Sequence, residues 1–170
     1  ATVFYMFNGP MEYNLENELA MSTFYQSLNM RYQESVREEK GGTYGVSSFG
    51  TVGFMPVEEY RLIITFDTDP AMAAELMEII IDEIEFIAEN GLNAEDLAKA
   101  KEYFAKQYPD DLKQNSYWQT IVSEWHNDGY DMNTGYMDIV NGFTTDYFKS
   151  FARKILDDNN MILLLMTPKE

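Results

Sequence analysis

Apolar and polar positions alternate or recur in short, well-bounded runs along this chain, and the spacing of each run predicts one element. Thr2–Asn8 is β-branched and aromatic and is closed by Gly9-Pro10, which predicts a strand running into a turn. Asn14 then stands where a helix cap belongs, with Glu16 and Glu18 facing the positive end of the helix dipole. Ala20, Phe24 and Leu28 give that helix a buried stripe as far as about Val36, and Gly41-Gly42 stops it. Two strands are predicted next, Thr43–Phe49 and Glu59–Asp67, the second with Leu62, Ile64 and Phe66 on one face. Gly50–Val57 between them reads as an irregular loop, and the two strands as an antiparallel pair.

The second half is helical by the same criterion. Asp69-Pro70 caps and starts a helix through Ala73, Leu76, Met77, Ile80, Ile84 and Ile87, ended by Asn90-Gly91. Asn93 caps another through Leu97, Ala100, Phe104 and Tyr108, halted by Pro109. Trp118, Ile121, Val122 and Trp125 form a third apolar stripe, ending near Asp128-Gly129, and Thr144 caps a last helix through Phe148, Phe151, Ala152 and Ile155. After a turn at Asp157–Asn160, Met161–Met166 is apolar on both faces, the pattern of a central strand. The order strand, helix, two strands, helices, strand implies an α+β domain. Its sheet is expected to be mixed, with four strands or slightly more and helices packed mainly on one face. No linker or repeat divides residues 1–170, so a single domain is expected; an opening Ala1 followed at once by a strand suggests a fragment of a longer protein.

Charge and composition narrow the function classes. Twelve Lys and Arg against 29 Asp and Glu give a net charge of -17, and the basic residues are scattered singly, which argues against nucleic acid and against anionic membrane surfaces. No apolar run approaches the roughly 20 residues a membrane span needs, so a soluble protein without membrane insertion is expected, cytoplasmic or periplasmic. The absence of cysteine removes thiol catalysis, disulfides and cysteine metal sites. His126 is the one histidine and has no nucleophile motif or H-E-x-x-H beside it, so it reads as a helix-end residue. Residues 75–102 hold nine carboxylates against Lys99 and Lys101, but Glu78, Asp82, Glu85 and Glu89 occupy the non-apolar side of their helix and read as a solvated face. Asp128–Asn133 lacks the glycine and the bidentate glutamate of a calcium loop and reads as a turn.

One segment carries more information. Arg37-Glu38-Glu39-Lys40-Gly41-Gly42-Thr43-Tyr44-Gly45-Val46 puts an arginine at a helix C-terminus, reverses the chain through two glycines and opens a strand with a tyrosine. By the residues alone, Arg37 and Tyr44 are either a helix-capping arginine and a half-buried tyrosine or a pair whose polar heads converge. The run from Leu28 through Val46 resembles the non-zinc half of the pitrilysin and insulysin family, zinc metallopeptidases with an inverted H-x-x-E-H motif. Asp69-Pro70, Asn90-Gly91-Leu92 with Glu95-Asp96-Leu97, Asn115-Ser116-Tyr117-Trp118, Thr144–Phe148 and Thr167-Pro168 follow in the family's order.

The resemblance implies related α+β domains arranged as two halves around a chamber, with zinc bound in the half that this chain is not. It implies that Arg37 and Tyr44 reach across to a peptide substrate near that zinc. No H-x-x-E-H is present and one histidine cannot replace two, so the chain itself is expected to hold no catalytic zinc and no other cofactor and to be incomplete as a catalyst. The implied partners are a peptide substrate and a complementary zinc-bearing domain, on the same chain or on a partner subunit. Two other readings are a non-proteolytic assembly domain of the same fold and a small acidic binding module that shares only the topology.

Overall fold

A computed structural model describes residues 1–38 and 45–168, with the backbone alone for residues 36–38. Strand β1 (Thr2–Pro10) leads into α1 (Leu15–Tyr32), which ends in a π-helical turn, Gln33–Glu38. Strands β2 (Val46–Gly53) and β3 (Glu59–Asp67) follow, then helices α2 (Ala73–Asn90), α3 (Ala94–Asp111), α4 (Asn115–Asp128), α5 (Tyr136–Gly142) and α6 (Thr145–Asp157), and finally β4 (Met161–Met166). The fold is α+β and the element order is the expected one. Among the described residues no helix is long and apolar enough to cross a membrane.

The sheet order is β2-β3-β1-β4, and every neighbouring pair is antiparallel, so the expected mixed sheet is corrected. The crossover through α1 does set β2 in the same direction as β1, as the sequence implied. Strand β3 then inserts between them, with Val3 opposite Phe66 and Val46 opposite the same residue on the other side, so no parallel neighbours arise. Val3, Tyr5 and Phe7 of β1 and Tyr60, Leu62, Ile64 and Phe66 of β3 are buried on the face that meets the helices. There they pack into one cluster with Phe24 and Leu28 of α1, Ile80 and Ile84 of α2, and Phe148 and Ile155 of α6. Each such side chain contributes about 1.5–3 kcal/mol by its removal from water. Phe4, Met6 and Ile63, on the other face, are only partly covered.

Strand β4 departs most from expectation. Among the described residues it is an edge strand, paired only with β1, and its six residues are each between 41% and 52% exposed. A run apolar on both faces predicts burial on both, but strand order is decided by long-range pairing that the run itself does not encode. Strand β2 is also displaced: it continues through Gly53, across part of the expected loop, because Thr51 and Val52 extend the pairing with Arg61 and Tyr60.

The caps behave as the sequence indicates. The side chains of Asn14, Asn93 and Thr144 accept from the N–H groups of Asn17, Glu95 and Tyr147. Helix α2 begins at Ala73, after a turn in which Asp69 accepts from the Ala71 N–H, and not at Pro70. Helix α3 runs past Pro109 to Asp111, since a proline in the last turn forfeits one helical hydrogen bond near an end that frays anyway. Helix α4 has no fully buried residue, with Trp118, Val122 and Trp125 41%, 59% and 61% exposed. Its expected core stripe is therefore largely a surface, attached through Ile121 and Tyr117.

Candidate functional site

Helix α1 delivers the segment that carries Arg37, and its last turns are tightly held. Tyr32 is fully buried and its hydroxyl donates to the Ile80 carbonyl of α2 at 3.1 Å. Burial, with a smaller push from Glu83, holds that phenol well above its ordinary ionisation range, so it remains a donor. Arg31 donates from Nε to Glu83 at 2.5 Å, and its guanidinium lies 4.4 Å from the centre of the Phe86 ring. This ion pair is mostly shielded from water, and the stacked ring adds a cation–π contact. Beyond it the chain widens into the π turn, where the Ser35 hydroxyl donates to the Arg31 carbonyl at 2.9 Å. Such turns insert one residue into helical spacing and recur at functional sites.

Past residues 39–44, β2 is fastened to the same helix. Asn29 accepts from the Ser48 N–H at 2.6 Å and from its hydroxyl at 2.9 Å, and donates to its carbonyl at 3.0 Å. The close approach depends on Gly50, where a Cβ would collide with the Met21 side chain. The backbone of Arg37 thus lies in a turn anchored to α1, and Val46 begins a strand anchored to α1. The Arg37 side chain and the whole of Tyr44 lie outside the described residues, as does the segment 39–43 between them.

A second group of polar side chains comes together where no motif marked it. Glu18, on the first turn of α1, accepts from the Val52 N–H of β2 at 3.1 Å. Its carboxyl is pushed up to about 7 by burial, with Glu124 of α4 adding repulsion and the Val52 hydrogen bond opposing. Tyr13 stands beside it, its phenol raised first by burial and then by Glu124. The Tyr13 ring meets Phe54 at 5.0 Å and Tyr130 at 4.8 Å between centres, and Tyr130 donates to Glu58 at 3.1 Å. A carboxyl in this state exchanges a proton near neutrality. The residues come from the start of α1, from β2 with the loop after it, and from the end of α4, so only the fold unites them. A second polar knot attaches α4 at its other end, where Tyr108 and Tyr117 donate to Asn133 at 3.0 and 2.7 Å.

The remaining candidates are resolved plainly. Glu78, Asp82, Glu85 and Glu89 are exposed, and His126 is exposed in the last turn of α4. Asp131 accepts from the N–H groups of Asn133 and Thr134, which makes Asp128–Asn133 a side-chain-stabilised turn. Among the described residues no group of three or more histidine, cysteine, aspartate or glutamate side chains is placed to hold a metal ion. With a single histidine, the chain does not fit a catalytic zinc of the inverted-motif type.

The family model described as the peptidase M16 inactive domain matches residues 1–104. No curated protein sequence matches. Among solved structures, the periplasmic protease PqqL from Escherichia coli is similar at a TM-score of 0.81 and 18% identity, covering 99% of this chain and 19% of that one. A protease from Helicobacter pylori is similar at a TM-score of 0.78 and 14% identity, covering 98% of this chain and 41% of that one. The first half of PqqL taken alone also contains the fold, at a TM-score of 0.73 and 14% identity, covering 95% of this chain and 39% of that half. At these identities the likeness is one of fold, and the chain spans between 19% and 41% of the length of these three structures.

Proposed function

Because the chain belongs to the peptidase M16 inactive-domain family, we propose that it is the substrate-gripping, non-zinc domain of a longer zinc metalloendopeptidase. It works opposite a complementary domain that holds the metal, on the same polypeptide or on a partner subunit, and the two enclose the peptide in a chamber. Metal chemistry belongs to that other domain. This chain supplies hydrogen-bond donors: the Arg37 guanidinium holds the peptide backbone and orients Tyr44, and the Tyr44 hydroxyl donates to the oxygen on which charge develops.

The observation that carries this reading is the anchoring, to one helix, of the described chain on either side of residues 39–44. Tyr32, Arg31 and Ser35 hold the approach to Arg37, and Asn29 holds the strand that follows Tyr44. A pair that grips a substrate needs a rigid base, because misplacement of a donor by even 1 Å is costly in rate. The family's order of motifs adds support, since the matched residues 1–104 contain the whole Arg37-to-Tyr44 segment.

The test is kinetic, on the complete enzyme. Arg37→Ala should raise KM and lower kcat together, and Arg37→Lys should rescue poorly because an ammonium lacks the planar fork that engages two acceptors at once. Unchanged kinetics in both variants would show that the arginine is structural and would favour a non-proteolytic assembly role.

A further inference from the structure

The two edges of the sheet are finished differently. On β2, side chains of α1 occupy the outward backbone groups: Asn29 takes the N–H and carbonyl of Ser48, and Glu18 takes the N–H of Val52. Helix α1 thereby closes that edge to another strand, one of the ways sheets avoid unwanted pairing. Strand β4 has no such closure among the described residues. Met161, Ile162, Leu163, Leu164, Leu165 and Met166 are all apolar, and all are more than 40% exposed. The Asn8 N–H donates to the Asn160 carbonyl at 3.2 Å, which sets the phase of the antiparallel ladder. Ile162 and Leu164, opposite Met6 and Phe4, direct their backbone groups to β1, so those of Leu163 and Leu165 point away from the sheet.

We infer that β4 is an interior strand of a larger sheet, its outer edge paired by a further strand from the longer polypeptide, outside these 170 residues. The inference rests on the reading that the chain is one domain of a longer protein. A packed helix would cover one face of β4 and leave its edge unpaired, whereas a strand continues the sheet and lets both faces be covered together. A second copy of this chain is a poor occupant, because each copy carries a net charge of -17 and two would meet against their mutual repulsion. A lipid surface fits no better, since six residues fall short of the roughly 9–11 of a membrane-spanning strand. The first half of PqqL shows such an arrangement of lengths: the similar unit takes 39% of that chain, so more than half of it is other sequence. The occupant expected is a β-branched or aromatic strand from a less acidic part of the protein.

Amide hydrogen exchange on the longer protein decides the matter without reference to its activity. The N–H groups of Leu163 and Leu165 should exchange at least ~100-fold more slowly in the longer protein than in the 170-residue chain, while those of Ile162 and Leu164 are protected in both. Within the longer protein, Leu165→Pro, which deletes only an outward N–H, should accelerate exchange at Leu163 and leave that at Ile162 unchanged. Fast exchange at Leu163 and Leu165 in the longer protein overturns the inference. So does protection that appears only as the concentration of the 170-residue chain is raised, which would assign the edge to a second copy. Should the short chain not fold, the longer protein's own values at Leu163 and Leu165 still decide. Loss of peptidase activity with these amides protected would count against the proposed function alone, because pairing at β4 makes no use of Arg37 or Tyr44.

Discussion

Glu18 makes the stability of this fold depend on pH in a direction opposite to that of most carboxylates. Its carboxyl is displaced from an ordinary 4.5 to about 7, with burial the main cause, so the folded state holds a proton that the unfolded chain releases. The contribution to stability is therefore fully present below pH 4.5 and is lost as pH rises through 7. At high pH the full displacement corresponds to ~3 kcal/mol, of which about 2 kcal/mol is lost between pH 5.5 and 8.5. Glu18→Gln keeps an oxygen that can accept from the Val52 N–H but cannot ionise, so it removes the slope and keeps the contact. Urea unfolding of the two proteins at pH 5.5 and 8.5 reads the effect as a difference of differences. The variant should gain about 2 kcal/mol on the wild type between these two pH values, with unchanged m-values. Both conditions lie above the sequence pI of 4.2, which keeps the protein charged and soluble. An equal stability difference at both pH values would refute the argument, since it would mean that Glu18 is already ionised in the folded state.

Asn29→Ala should destabilise the fold by about 1–3 kcal/mol in chemical denaturation, because Ser48 is buried and would lose three hydrogen-bonded contacts at once. The same variant should show increased self-association in sedimentation velocity, as it reopens the β2 edge. Gly91→Ala should cost at least ~2 kcal/mol and lower Tm in a calorimetric scan, since the residue has φ of 81° and its Cβ would meet the Thr145 carbonyl oxygen at 2.5 Å.

How much of this was legible in the sequence depends on the range of the interaction concerned. The alternation in Thr2–Asn8 and Glu59–Asp67 and the caps at Asn14, Asn93 and Thr144 are local, and each gave its element at nearly the right boundary. Strand order is not local. Insertion of β3 between β1 and β2 turned an expected mixed sheet into an antiparallel one, and within the described residues Met161–Met166 pairs with β1 alone, so the central position its pattern predicts needs a strand from outside them. Helix α4 shows the same limit: its stripe has helical period, but period says nothing of whether a partner stands opposite. Helix α5 carried no signal, being seven residues with one buried side chain, Val140. Arg37 and Tyr44 are singled out by the order of residues around two glycines and by family resemblance alone, since the Arg37 side chain and Tyr44 lie outside the described residues. The union of Glu18, Tyr13 and Glu124 spans more than 100 positions and arises only in the folded chain.

The measurement that tests the central claim most directly is the turnover of the complete enzyme carrying Tyr44→Phe. If the Tyr44 hydroxyl donates to the oxygen that becomes negative during attack on the peptide carbonyl, its loss removes a bond that is strongest in the transition state. By the usual cost of deleting such a donor, kcat should fall by about 10²–10³ with KM little changed, while zinc content and Tm stay at the wild-type values. A kcat within about twofold of wild type, with the metal still bound, would contradict the assignment and favour a scaffold role for this chain.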